Sequence, residues 1–274
     1  MRASALHQML ALAMLLLSGP ALAASQKDVE DCRQPLDDER RIAGCTNVIN
    51  DAGMSPRLIS AAHNNRAIAL RHKGQYDQAI QDHTEAIKLT PDFATAFNSR
   101  AIVYSLKGEH ELALQDYNEA IRLNPTDAIA LQNRGVIWRD KGQFDKALHD
   151  FDEAIRLNPN FVIALNGRCA TNAIAGQLQA ALADCDRSLQ LRPNEAFALD
   201  ARGIVYLKLG QLDNAIADYD AALRINPQIA GSLYGRGIAQ IKKGNSAEGN
   251  ADIAAAKALK ADIAKEMAVY GVTL

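Results

Sequence analysis

The sequence predicts an all-α chain built as a solenoid of antiparallel helical hairpins, and three observations carry that expectation. Gly74, Gly108, Gly142, Gly176, Gly210 and Gly244 recur 34 residues apart, and Pro91, Pro125, Pro159, Pro193 and Pro227 keep the same interval. Between these marks, apolar residues recur at spacings of three and four: Ile129, Leu131, Val136 and Trp138 precede Gly142, while Phe144, Ala147, Phe151, Ala154 and Ile155 follow it. Each Gly closes a first helix because it tolerates positive φ, and each Pro stops a second helix because it cannot continue one.

The composition, 48% apolar and 23% charged, is that of a folded chain and excludes disorder and collagen-like structure. Lys and Arg total 30 against 32 Asp and Glu, so the basic excess that holds a protein on phosphate backbones is missing and no nucleic-acid partner is expected. At the N-terminus, Arg2 precedes an apolar run from Met9 to Leu17, then Ser18-Gly19-Pro20 and the small-x-small triplet Ala21-Leu22-Ala23. This order reads as a signal peptide over 1–23 with cleavage before Ala24. The run is short for a membrane span, and no Cys marks a lipid anchor. A periplasmic or secreted chain without stable membrane insertion is the expectation.

The repeat resembles the tetratricopeptide repeat family. One unit reads Leu131, Gly135, Trp138, Ala147, Phe151, Ala154, Pro159, and another reads Leu199, Gly203, Tyr206, Ala215, Tyr219, Ala222, Pro227. Counted from the first helix, the units are 60–93, 94–127, 128–161, 162–195, 196–229 and 230–263. The resemblance implies a right-handed superhelical solenoid of six such units, with capping segments over 24–59 and 264–274. In the N-terminal segment, Ile42, Cys45, Val48 and Ile49 are spaced like a second helix and are expected to cover the first repeat. At the other end, Lys260, Asp262, Lys265 and Glu266 are expected to keep a short terminal helix soluble. Within a hairpin, the small residue at Ala101, Gly135 or Gly203 should face Tyr117, Phe151 or Tyr219, respectively.

One column departs from the family. Arg66, Arg100, Arg134, Arg168, Arg202 and Arg236 stand where it usually has Leu, and Asp82, Asp116, Asp150, Asp184, Asp218 and Asp252 follow sixteen residues later. Two readings stand: a cationic rail for an acidic ligand, or an Arg-Asp pair tying the two helices of each hairpin at similar height. The cysteines fall into local pairs, Cys32 with Cys45 and Cys169 with Cys185, whose intervals fit no metal or redox motif. An exported context makes disulfides the expectation, with paired free thiols as the alternative. Cys169 and Cys185 occupy the small and aromatic places of one unit, so a crosslink there would replace the usual packing contact.

No phosphate loop, H-E-x-x-H zinc helix, G-x-S-x-G elbow or C-x-x-C-H haem attachment is present in the sequence. His63, His72 and His83 sit at different repeat places, which send them to different faces. The chain is therefore read as no enzyme, with no catalytic residues, cofactor or metal.

The resemblance implies that the first helices line a concave groove where extended peptides or partner helices bind. Projected onto this sequence, the groove carries Asn64, Asn65, Asn98, Gln132, Asn133, Asn166 and Asp200, with Arg139 as a basic neighbour. Amides can bond a peptide backbone as donor and acceptor. An apolar strip at Ile129, Ile163 and Phe197 runs near the repeat starts. The family's clamp for acidic C-termini needs Lys and Arg where this chain has Asn64, Ile129 and Asn133, so that specificity is not implied. The expected function is a non-catalytic protein-protein interaction scaffold in the cell envelope. The alternatives are an accessory subunit or cofactor-handling factor of an envelope enzyme or assembly pathway, and a structural homo-oligomer whose groove is filled by its own terminus.

Overall fold

The computed structural model describes residues 24–273, so the expected leader over 1–23 lies outside the described residues. Among the described residues there are fifteen helices, packed as consecutive hairpins. The chain divides into two compact units at Pro125 and Thr126.

The first unit holds α1 (Gln26–Arg33), α2 (Asp38–Asn50), α3 (Pro56–His72), α4 (Tyr76–Leu89), α5 (Ala94–Leu106) and α6 (His110–Leu123). Local chemistry sets where the first three begin. Ser25 and Asp28 form a reciprocal capping box, the Asp37 carboxylate accepts from the Arg40 amide, and Ser55 caps a helix whose first residue is Pro56. Where the sequence suggests a single covering helix, α1 and α2 form a hairpin of their own, crosslinked from Cys32 to Cys45 with Cα atoms 4.5 Å apart. Cys45 and Val48 of α2 pack with Ala62 of α3.

The second unit holds α7 (Ala128–Asp140), α8 (Phe144–Leu157), α9 (Val162–Ile174), α10 (Leu178–Leu191), α11 (Ala196–Lys208), α12 (Leu212–Ile225), α13 (Ala230–Lys242), α14 (Ser246–Leu259) and α15 (Ile263–Val269). Gly142 takes φ 71° in the turn between α7 and α8, a conformation that disfavours any side chain with a Cβ. The later hairpins turn on glycines in the same way.

The arginine ladder is structural. Arg202 donates from Nε and Nη2 to the two carboxylate oxygens of Asp218 at 2.7 and 2.8 Å, and from Nη1 to Asp186 of the preceding hairpin at 2.7 Å. All six expected Arg-Asp pairs form with this two-point geometry. The third donor reaches Thr46 from Arg66, Thr84 from Arg100, Asp152 from Arg168 and Asp220 from Arg236. Arg66, Arg100, Arg168, Arg202 and Arg236 therefore each tie their own hairpin internally and also to the hairpin before it, a second role that the sixteen-residue spacing alone does not reveal. With the guanidinium engaged on three sides, a cationic rail is not what this column forms.

Aromatic packing follows the same logic. The Phe151 ring fills the space at Gly135 of its own hairpin, where an added Cβ would sit 3.0 Å from the ring, and Tyr219 does so at Gly203. In the unit between them, a disulfide joins Cys169 to Cys185, both fully buried, with Cα atoms 5.6 Å apart.

Candidate partner-binding cleft

In the second unit the first helices α7, α9, α11 and α13 share one face because residues 34 apart repeat their angular position. On that face lies a cleft of about 950 Å³. Gln132, Asn166 and Asp200 occupy the same place on α7, α9 and α11, and all three line it, as does Arg139. Ile163 and Phe197 stand at its edge, 53% and 71% exposed. Side chains this apolar and this bare on neighbouring helices are the kind of surface a partner covers. Ile129, at the same repeat place on α7, is equally exposed but is not a wall of the cleft.

The amides are less accessible than a groove lining requires. Gln132, expected in the groove, lines the cleft but is only 6% exposed. Asn166 is half-buried, and its Oδ1 finds no hydrogen-bond donor. In the first unit, Asn64 and Asn98 are buried, each likewise with an unpartnered Oδ1. Asn65 and Asn133 are half-buried, and Asn133 does not line the cleft.

Charge in the cleft is mostly paired. Arg139 holds Asp140 at 2.9 Å, Lys260 holds Glu266, and Arg192 lies 4.0 Å from Glu195. Lys208, which does not line the cleft, donates to the Ala173 carbonyl at 2.5 Å at the end of α9, and burial pushes its pKa down. Asp200 is different. Its carboxylate accepts from the Ser232 hydroxyl at 2.5 Å and pairs with no cation among the described residues. Burial, only partly offset by Ser232 and reinforced by the negative charge of Glu266, lifts its pKa from the ordinary 3.8 to about 6.

Glu266, expected from the sequence only to keep the terminal helix soluble, and Tyr270 also line the cleft. Ile263, Met267 and Val272 insert among Ile204, Tyr234 and Ile238, so α15 closes one end of the cleft. The available signal was the three-and-four spacing of Ile263, Met267 and Tyr270, which marks an apolar face that needs a partner surface. Among the histidines, His63 faces Asp82 at 2.8 Å and His72 faces Asp38 at 3.2 Å, while His83 is fully buried. No helix among the described residues is long and apolar enough to cross a membrane.

A family model described as "Tetratricopeptide repeat" matches residues 94–127 and 128–161, and one described as "TPR repeat" matches residues 67–108 and 203–244. A comparison with curated proteins gave no match. Among solved structures, a tetratricopeptide repeat protein from Parabacteroides merdae is similar at a TM-score of 0.66 and 21% identity, covering 86% of this chain and 93% of that one. PilF of Pseudomonas aeruginosa is similar at 0.65 and 19% identity, covering 76% and 96%. YrrB, described as having an unusual peptide-binding site, is similar at 0.52 and 23% identity, covering 68% and 97%. At these identities the likeness is one of fold.

Proposed function

Because this chain is a tetratricopeptide repeat protein, we propose that it works as a non-catalytic scaffold holding a partner polypeptide in the cleft of α7, α9, α11 and α13. The observation that carries this reading is the pairing of exposed Ile163 and Phe197 with a cleft of about 950 Å³. Its walls mix apolar side chains with a few hydrogen-bonding groups, the composition suited to recognition of a chain segment. The peptide-binding site described for YrrB supports the same use of the fold. On this reading the site residues are Gln132, Asn166, Asp200 and Arg139, with Ile163 and Phe197 as apolar anchors.

The proposed location is the cell envelope or outside the cell. Two buried disulfides fit an oxidising compartment. The Ala24 nitrogen donates to Asp51 at 2.9 Å, so cleavage before Ala24 would place a new ammonium group on a waiting carboxylate. An affinity capture comparing wild type with Ile163→Ala plus Phe197→Ala tests the scaffold reading. The variant is expected to keep its melting temperature and lose its partner, and unchanged capture would contradict the reading.

A further inference from the structure

Resting on the cleft reading, we infer that the bound segment carries a Lys or Arg side chain whose cationic head docks on Asp200, with apolar neighbours against Ile163 and Phe197. Each cation lining the cleft already has an anionic partner: Arg139 has Asp140, Lys260 has Glu266, and Arg192 has Glu195. The half-buried carboxylate of Asp200 has one neutral donor, the Ser232 hydroxyl, and no counter-ion among the described residues. A carboxylate so placed is desolvated without electrostatic compensation, and an incoming cation supplies what is missing.

The neighbouring residues narrow the ligand further. Asn166, at the same repeat place one hairpin earlier, lines the cleft with a neutral amide whose Oδ1 is buried and without a donor among the described residues. An ammonium or guanidinium group has donors for the Asp200 carboxylate, whereas a carboxylate or phosphate has none. The negative charge of Glu266, though shared with Lys260, is felt at Asp200 as a rise in its pKa, which works against an anionic ligand. Phe197 offers a bare aromatic face to the aliphatic stem of Lys or to the plane of Arg. A column equivalent to Asp200 exists elsewhere only as amides or Tyr234, so the cationic subsite is confined to this repeat.

The experiment selects a displayed library of random nonapeptides on the full chain, on Asp200→Asn and on Ile163→Ala plus Phe197→Ala. Enriched peptides are then synthesised with and without norleucine in place of their basic residue. Asp200→Asn keeps the acceptor for Ser232 and removes a half-buried charge, so its melting temperature is expected to match or exceed wild type. The expected result is enrichment of one Lys or Arg beside apolar residues. Its norleucine replacement should weaken binding to wild type about tenfold, as for loss of a desolvated charge pair, and to Asp200→Asn about twofold or less. Peptides that need Ile163 and Phe197 but lack a basic residue, or that bind Asp200→Asn unchanged, overturn the inference and leave the cleft reading standing. Enrichment that ignores the Ile163 and Phe197 changes, or no enrichment at all, overturns the cleft reading and the inference with it.

Discussion

The ring of Phe151 occupies the space that a side chain on Gly167 would need, with a ring carbon 2.6 Å from where the Cβ would stand. Gly167 opens the following hairpin, so one aromatic residue is clamped between two glycines, Gly135 behind it and Gly167 ahead. Tyr219 repeats the arrangement between Gly203 and Gly235, where the added Cβ would lie 2.4 Å from the ring. The unit between them has a disulfide in place of the aromatic residue and Ala201 in place of the forward glycine. This substitution makes the packing rule testable.

Replacing Cys169 by Gly and Cys185 by Tyr restores only half of the clamp. The new ring would meet Ala201, and overpacking of this kind costs about 1–3 kcal/mol on top of the lost crosslink. Adding Ala201→Gly is expected to stabilise the double variant, although the same change in wild type should destabilise by about 1 kcal/mol as a helix-interior glycine. Denaturant unfolding of the four proteins checks the reversal of sign, and two effects of the same sign would refute the clamp.

Arg202→Ala should lower stability by about 2–3 kcal/mol, because Asp218 is buried and would be left without its two-point partner. The value falls below that for a fully buried pair because Arg202 keeps some contact with water. Phe197→Ala, removing a side chain that is mostly exposed, should change stability by about 0.5 kcal/mol or less. Thermal unfolding of both variants should rank them in that order.

His83 and Asp200 should give opposite pH trends. His83 is fully buried with both ring nitrogens unpartnered. Burial first, then Arg100 and Arg71 against the opposing Asp82, lower its pKa from 6.5 to about 3. The unfolded chain then binds a proton that the folded chain refuses, so stability falls as pH drops from 6.5 toward 3. Asp200, with its pKa raised to about 6, is protonated in the folded chain where the unfolded chain has already ionised. Its contribution is therefore lost as pH rises from about 4 to 6. The groups felt across the site are Glu266 of α15 and the hydroxyls of Ser232, Tyr219 and Tyr270, of which the tyrosines stay neutral over this range because burial raises their pKa values. Relative to wild type, His83→Phe should gain more at pH 4.5 than at pH 7.5, and Asp200→Asn should gain more at pH 7.5. Melting curves at the two pH values read this directly, and parallel trends would contradict the assignment.

Asp51→Asn costs one of the two backbone N–H groups at Asp51 its acceptor in either chain, and should destabilise a chain beginning at Ala24 by up to about 1 kcal/mol more than a chain that retains residues 1–23. The reason is that only the cleaved chain presents a charged ammonium group to that carboxylate. Chemical denaturation of the four chains measures the difference.

The hairpins were legible because their marks are local: Gly142 needs its turn, Pro159 stops its helix, and the intervening apolar spacing needs no tertiary context. The Arg202–Asp218 tie was also legible, since sixteen residues around a central turn place two side chains at equal height. The bond from Arg202 to Asp186 was not, because it crosses to another hairpin whose offset depends on packing. The same limit hid Gly167, which looks like an ordinary helix residue until Phe151 is set beside it. The burial of Gln132 was not legible, because angular position on a helix does not reveal how closely the next helix approaches. Asp200 was recognised as a variant in a row of amides, but its missing counter-ion required the paired charges around it to be seen in place. The role of α15 was hidden because a seven-residue helix next to a terminus carries too little pattern to say what it packs against.

The central claim, that the face bearing Phe197 is where a partner polypeptide sits, is tested most directly by site-specific photocrosslinking in intact cells. A photoreactive phenylalanine analogue is placed at position 197, and separately at the exposed Ala217 of α12. The account predicts a discrete adduct from position 197 that disappears with Ile163→Ala and none from position 217. An adduct from position 217 alone, or one from 197 that persists unchanged in Ile163→Ala, would contradict it.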